Sequence, residues 1–359
     1  MTDMQPRYTR MRASWLLSAV AALLGAIVVG VMSGSVWFAP HRVLLTLLDS
    51  LPGVHLETGL APIDQAILTQ LRLPRVMLAA LVGAALALGG ASYQGVFRNP
   101  LVDPYLLGSA AGAGLGATLA ISYAPASTVI GVPIVPLAAF VGALFGVTLA
   151  YLLGSWASGG PGASSTGISS SVATLMLAGV AVAAFLTALQ AFVQQQNTEK
   201  LQQIYGWIVG RLGGATWTDV ATVAPYLALS TVAVLLHSQL LDVLALGDDE
   251  AASLGVPVTR VRIVVLLAAS LATGAAVAVS GLIGFIGLVV PHVVRRLTCT
   301  SYRVVLPLSL LVGATLLVLA DVIARSALSG SELPVGLVTA FLGAPFFAGL
   351  LRLNRRSLV

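Results

Sequence analysis

Few residues of this 359-residue chain are equipped for chemistry, and their spacing excludes most of it. Lys200 is the only lysine and follows Glu199 rather than a glycine, so there is no G-K-[ST] loop to cradle the phosphates of a nucleotide. The four histidines, His41, His55, His237 and His292, lack the close spacing of metal ligands. Cys299 is the only cysteine, which rules out an intrachain disulfide. These residues call for no metal and no cofactor. Gly112, Gly114 and Ala117 fit a G-x-G-x-x-A spacing, but the segment is apolar and follows no strand, so it is read as a packing face. Asp321 and Arg325 stand four apart, one helical turn, where each can neutralise the other.

The elements that hold these residues are set by hydropathy. The chain is 58% hydrophobic and only 9% charged, against about 25% charged in a soluble protein. Apolar stretches lie at about 15–37, 74–97, 105–124, 130–154, 172–193, 217–238, 262–280, 282–297, 303–325 and 333–353. Roughly 20 apolar residues in a helix cross about 30 Å of hydrocarbon. One all-α domain over 1–359, a polytopic membrane protein of about ten transmembrane helices, is the expected fold. Arg7, Arg10 and Arg12 precede the first span, whose apolar run is longer than that of a cleaved leader, so it is read as a retained helix. Gly108, Gly112 and Gly116 recur every four residues in the third span, where small residues let helix backbones approach closely in lipid. Asp321 and Arg325 then fall inside the ninth span, where charge is a functional candidate by default.

Arginine placement orients the spans. With the N-terminus inside, twelve basic residues fall on inside segments and six on outside ones, as the positive-inside rule requires. An even number of spans brings both termini to the cytoplasmic side of the cytoplasmic (inner) membrane. The formal charge of +5 is spread over span ends rather than gathered in a patch, so no nucleic-acid partner is expected.

Gly83–Gly90 and Gly274–Gly281 match at an offset of 191 residues, and the same offset pairs Pro100 with Pro291. Five spans separate the copies, so they cross in opposite directions, which is the inverted repeat of transporters. The inside segment 239–260 reads as two short helices. Gly247 breaks the first, Asp248, Asp249 and Glu250 suit the start of the second, and Gly255 with Pro257 ends it. A transporter shape without a nucleotide loop needs its energy from elsewhere.

Six ordered clusters carry a resemblance over almost the full length. They are Arg72-Leu73-Pro74-Arg75 with Gly83–Ala87, Gln94-Gly95 and Asn99-Pro100-Leu101-Val102-Asp103-Pro104; Trp207, Gly210, Gly213, Gly214 and Trp217; Leu246-Gly247-Asp248 with Ala252 and Leu254-Gly255; Gly284–His292; Ala320–Arg325; and Glu332–Gly336 with Leu342–Pro345. In these the chain resembles the FecCD-type permease subunits of binding-protein-dependent ABC importers for iron–siderophore, haem and vitamin B12.

The resemblance implies a type II importer permease fold, a homodimer, two copies of a separate ATP-binding cassette ATPase inside and an extracytoplasmic substrate-binding protein outside. It implies that Arg72, Arg75 and Arg325 offer exposed charge to the binding protein. It implies that Leu246, Gly247, Asp248, Glu250, Ala252, Leu254 and Gly255 form the surface that seats in the ATPase. The gate falls at the start of the fifth span, at Ser171, Val172, Ala173 and Thr174, although the vitamin B12 pattern has small polar residues where Val172 and Ala173 align. Asn99, Pro100, Pro291 and His292 are structural, with His292 at a helix end. Residues 197–210 form a short outer helix. The resemblance implies an iron chelate, siderophore or haem, as the expected cargo, with vitamin B12 as the alternative. An ion-coupled secondary transporter is the reading from a different class, and it would require acidic residues deep within spans.

Overall fold

The computed structural model describes residues 11–34, 38–49, 59–124, 128–129, 132–157, 168–328 and 331–354. Arg7, Arg10, Arg355, Arg356 and most of the 155–170 loop lie outside them. In chain order the helices are α1 (Ala13–Met32), α2 (Pro40–Asp49), α3 (Pro62–Ala66), α4 (Leu73–Phe97), α5 (Ser109–Tyr123), α6 (Ile134–Ala157), α7 (Ile168–Gln196), α8 (Leu201–Ile208), α9 (Trp217–Leu236), α10 (Ser238–Leu244), α11 (Asp248–Ser253), α12 (Val258–Ser280), α13 (Ile286–Leu297), α14 (Tyr302–Ser326) and α15 (Val335–Asn354). A π-helical turn, Ile67–Arg72, fuses α3 to α4, and a two-residue antiparallel pair, Thr128–Val129 with Val132–Pro133, bridges α5 to α6.

Each of the ten expected spans coincides with a helix: α1, α4, α5, α6, α7, α9, α12, α13, α14 and α15. Seven stretches among the described residues are long and apolar enough to cross a membrane alone. Helices α5 and α13, at 15 and 12 residues, and the apolar stretch Val335–Gly349 of α15 are not. Helix is the natural outcome for these runs, because hydrocarbon offers no partner to backbone N–H and C=O groups.

Helix α4 is the central strut. It is buried along nearly its whole length and packs against α14, α12, α13 and α9. Small residues make those contacts possible. A Cβ on Gly83 would strike the Gly313 carbonyl of α14, and one on Gly90 would strike the Gly287 carbonyl of α13. The α5 glycine face behaves as its spacing predicts: Cβ atoms on Gly112 and Gly116 would collide with the Gly142 and Ala138 carbonyls of α6. Helices α5, α6 and α7 enclose a small core of their own, Leu115, Ala150, Val182 and Leu186.

The repeat expected from sequence is visible as element order, not as the register read from sequence. The pair α4–α5 and the pair α12–α13 each place a long helix before a short one across a non-helical connection. Pro100 lies in the first connection whereas Pro291 lies inside α13, so the 191-residue offset does not superpose equivalent positions. The match of Gly- and Ala-rich runs reflects a shared need for close packing. His292 is likewise not at a helix end: it lies mid-way along α13, its ring edge-on to Phe346 with centroids 6.3 Å apart.

Candidate functional site

The sequence singles out residues that the fold sorts to two ends of the bundle and to a break between them. At one end, α4 begins, α1 and α14 finish and α15 is about to start. Arg75 Nε and Nη2 reach Asp321 at 3.0 and 2.9 Å, and Nη1 donates to both oxygens of Glu332 at 3.0 and 2.9 Å. Arg325 Nε lies 3.0 Å from the second Asp321 oxygen, which realises the i,i+4 pair. Its terminal nitrogens donate to the Ser33 and Gly30 carbonyls, 3.0 Å each. Arg72 donates to the Val31 and Met32 carbonyls at 3.1 and 3.0 Å and lies over the Phe38 ring. The last carbonyls of α1 have no intrahelical partners, and a guanidinium is well suited to satisfy them. The exposed arginine charges anticipated from sequence are therefore not observed. Arg72 is buried, and the side chains of Arg75 and Arg325 are only 12% and 6% exposed, because each satisfies acceptors of its own chain. The half-exposed member of the cluster is Glu332.

At the opposite end α10 and α11 form the expected pair of short helices. Gly247 joins them at φ +142°, where a Cβ would run into the Glu250 carboxylate, and Gly255 follows α11 at φ +79°. Both conformations favour glycine. Asp248 is buried, and its carboxylate accepts from Arg262 of α12 at 3.0 and 2.9 Å and lies 3.6 Å from Arg98 at the end of α4. Asp242 of α10 accepts from the Tyr302 amide and the Ser301 hydroxyl, so it caps α14 from a neighbouring element. Two carboxylates thus fasten the helix pair to α4, α12 and α14. What the pair presents outward is apolar and acidic: Leu246 and Leu254 are about two-thirds exposed, beside exposed Glu250 and Ala252.

Between the two ends, the connections 98–108 and 281–285 meet inside the bundle. Tyr105 donates to the Ile283 carbonyl at 3.0 Å and accepts from the Ile283 amide at 3.3 Å. Pro104 packs on Gly287, and Gly89 approaches Pro104. Non-helical backbone at such depth is tolerated only where protein covers it or where it borders a water-filled space. Here protein covers it on one side and an open cavity borders it on the other. Asp103, Tyr105 and Leu106 face Val180, Ala183, Ala184 and Thr187 of α7 across an open cavity of about 540 Å³. The turn itself is built by Asn99, which accepts from the Leu101 amide at 2.9 Å, and by Asp103, which accepts from the Tyr105 amide at 2.8 Å. This meeting was not foreseen from the sequence, where Tyr105 and Ile283 fall at the starts of the expected third and eighth spans.

Helix α7 packs on α5 and α6 through Leu175, Ala178, Val182 and Leu186, while Leu177, Val180, Phe185 and Phe192 remain exposed along its other face. Ser171, Val172, Ala173 and Thr174 lie in its first turns. Ala173 is exposed, and the side chains of Ser171 and Val172 lie outside the described residues. The outer helix expected over 197–210 is a 3-10 turn, Thr198–Lys200, followed by α8. Beyond it, Arg211 donates its amide to the Ser280 carbonyl, and Gly210 and Gly281 sit where a side chain would meet the Leu282 and Trp207 carbonyls.

This arrangement has close relatives. The cobalamin import permease BtuC of Halobacterium salinarum is 40% identical over 297 residues, covering 83% of this chain and 76% of that one. The Fe(3+)-citrate import permease YfmD of Bacillus subtilis is 39% identical over 311 residues, 87% of this chain and 88% of that one. A chain from a metal-chelate type ABC transporter in an inward-facing conformation superposes with a TM-score of 0.80 at 30% identity, covering 95% of this chain and 99% of that chain. Residues 22–353 match the FecCD transport family, and the chain belongs to that family of ABC importer permeases.

Proposed function

We propose that this chain carries an iron chelate, a siderophore complex or haem, inward across the cytoplasmic membrane as one half of a homodimer. Two copies of a separate ATPase seat on the dimer, one on the α10–α11 pair of each protomer, and a substrate-binding protein docks at the end that carries Arg72, Arg75 and Arg325. Both termini are then cytoplasmic, and residues 1–359 act as one transmembrane domain in which 239–260 is the docking loop.

The observation that carries this reading is the α10–α11 pair: Leu246 and Leu254 face outward while buried Asp248 ties the pair to the bundle. Exposed leucines on a rigid knob suit a groove on a partner, and the carboxylates of Asp248 and Asp242 pass displacement of the knob to α4, α12 and α14. Helix α7 borders the cavity near Asp103 and Tyr105. It touches the spans fastened to the knob through α5 and α6, so gating at Ser171–Thr174 is an indirect consequence of that displacement. ATP binding by the partner shifts the population between inward- and outward-facing states, to the extent that its contacts with the knob differ between them.

Cobalamin is the alternative cargo, favoured by the 40% identity to a cobalamin permease. Reconstitution separates the cargoes. Liposomes holding this chain alone should neither hydrolyse ATP nor accumulate label. With ATPase and binding protein added, labelled ferric siderophore or haem should accumulate and excess unlabelled cobalamin should not compete. Accumulation of cobalamin alone would establish the alternative, and uphill uptake by the isolated chain would refute the reading.

A further inference from the structure

We propose that Glu332 is a resident stand-in for an acidic side chain of the docking protein, so that docking exchanges one carboxylate for another on Arg75. The proposal rests on the docking reading of this end of the molecule and identifies which arginine does the work.

The guanidiniums of Arg75 and Arg325 meet the carboxylates of Asp321 and Glu332, while neighbouring Arg72 is engaged by backbone carbonyls. An acidic partner therefore gains an ion pair with Arg75 or Arg325 only by displacing a carboxylate already present. Asp321 cannot be displaced, since its side chain is 1% exposed and is held by both arginines. Glu332 is 52% exposed and contacts the single nitrogen Nη1 of Arg75, the edge of the guanidinium left over after Asp321 has taken Nε and Nη2. An exposed pair of this kind contributes little, so a second carboxylate arriving from outside can replace it at small cost.

Arg72 and Arg325 do not offer the same exchange. Their terminal nitrogens donate to backbone carbonyls at the end of α1, which would be left without those donors if either side chain turned outward. They anchor α1 to α4 and α14, while Arg75 presents the exchangeable edge. Glu332 also stands three residues before α15, in a segment fastened by the Leu333 amide to the Ala324 carbonyl. Displacing its carboxylate frees one of that segment's attachments, so the arrival of an acidic partner is felt where α15 begins.

The test uses the full chain assembled with its ATPase in nanodiscs and the binding protein that restores uptake in the reconstitution above. Glu332→Gln keeps the shape and removes the competing charge. Its affinity for the binding protein should rise about fivefold, the most an exposed ion pair corresponds to. Arg75→Gln should weaken binding, and adding Glu332→Gln to it should give no gain. Should the amide variant assemble poorly, Glu332→Ala is expected to show the same rise. Unchanged or weaker binding by the Glu332 variants, or a gain that persists without Arg75, overturns the exchange. Failure of the wild-type assembly to bind this protein at all overturns the docking reading itself, which no Glu332 variant is needed to see.

Discussion

Gln94 of α4 donates its side-chain amide to the Gly287 carbonyl of α13 at 3.1 Å. Gly287 lies four residues before Pro291, and proline has no N–H to close that helical bond. The carbonyl that Pro291 strands is therefore satisfied by a different helix. The same Gln94 accepts from Arg295 at the far end of α13, so one side chain fixes the short helix at two points. Gln94→Leu leaves a buried acceptor without its donor and should cost about 1–3 kcal/mol. Restoring the amide with Pro291→Ala should recover part of that loss. The thermal midpoints of both variants and of the double variant, measured in detergent, decide this, and simple additivity would contradict it.

Gly90 and Gly112 are approached by carbonyls on α13 and α6. Gly90→Ala and Gly112→Ala should each destabilise by about 1–3 kcal/mol through overpacking. Gly206, around which a Cβ meets open space, should accept alanine without loss. Thermal unfolding of the three variants checks the contrast.

Asp248 is fully enclosed between Arg262 and Arg98. Asp248→Ala leaves the part-exposed Arg262 and Arg98 guanidiniums without their carboxylate and should cost about 1–3 kcal/mol. Asp248→Asn, which keeps the shape, should leave a folded chain whose knob is no longer fastened to α12. In the reconstituted importer ATP hydrolysis should then persist while cargo moved per ATP falls. Normal stoichiometry would sever the proposed link between knob and spans.

The glycine at 247 and the leucines beside it act differently. Gly247→Ala forces a side chain into a backbone region that costs about 1–3 kcal/mol and into the Glu250 carboxylate. Leu246→Asp with Leu254→Asp changes only exposed surface, so the chain should fold normally. Co-purification with the ATPase should be lost in the aspartate double variant, and retention would remove the knob from the contact.

How much of this was legible beforehand follows from range. The spans were legible because hydropathy is local, and α5's packing face because three glycines at one spacing determine it. The Asp321–Arg325 pair and the break at Gly247 are likewise matters of one helical turn. The inward turn of Arg72, Arg75 and Arg325 was not legible, because their partners at Gly30–Ser33 and Glu332 are remote in sequence. Neither was the meeting of Tyr105 with Ile283, which joins connections 178 residues apart. The eighth span was already short at 282–297, but the brevity of α5 was hidden, because apolar residues in the connection before it lengthen the hydropathy signal although the backbone there is not helical.

The central claim is that the knob and the arginine cluster lie on opposite sides of a membrane, joined through α4. Single cysteines replacing Leu254 and Glu332, in a background where Cys299 is serine, can be labelled in sealed vesicles with a membrane-impermeant maleimide. In right-side-out vesicles the cysteine at 332 should react and the one at 254 should not, and inside-out vesicles should reverse the pattern. Reaction of both from the same side, or of 254 from outside alone, would contradict the account.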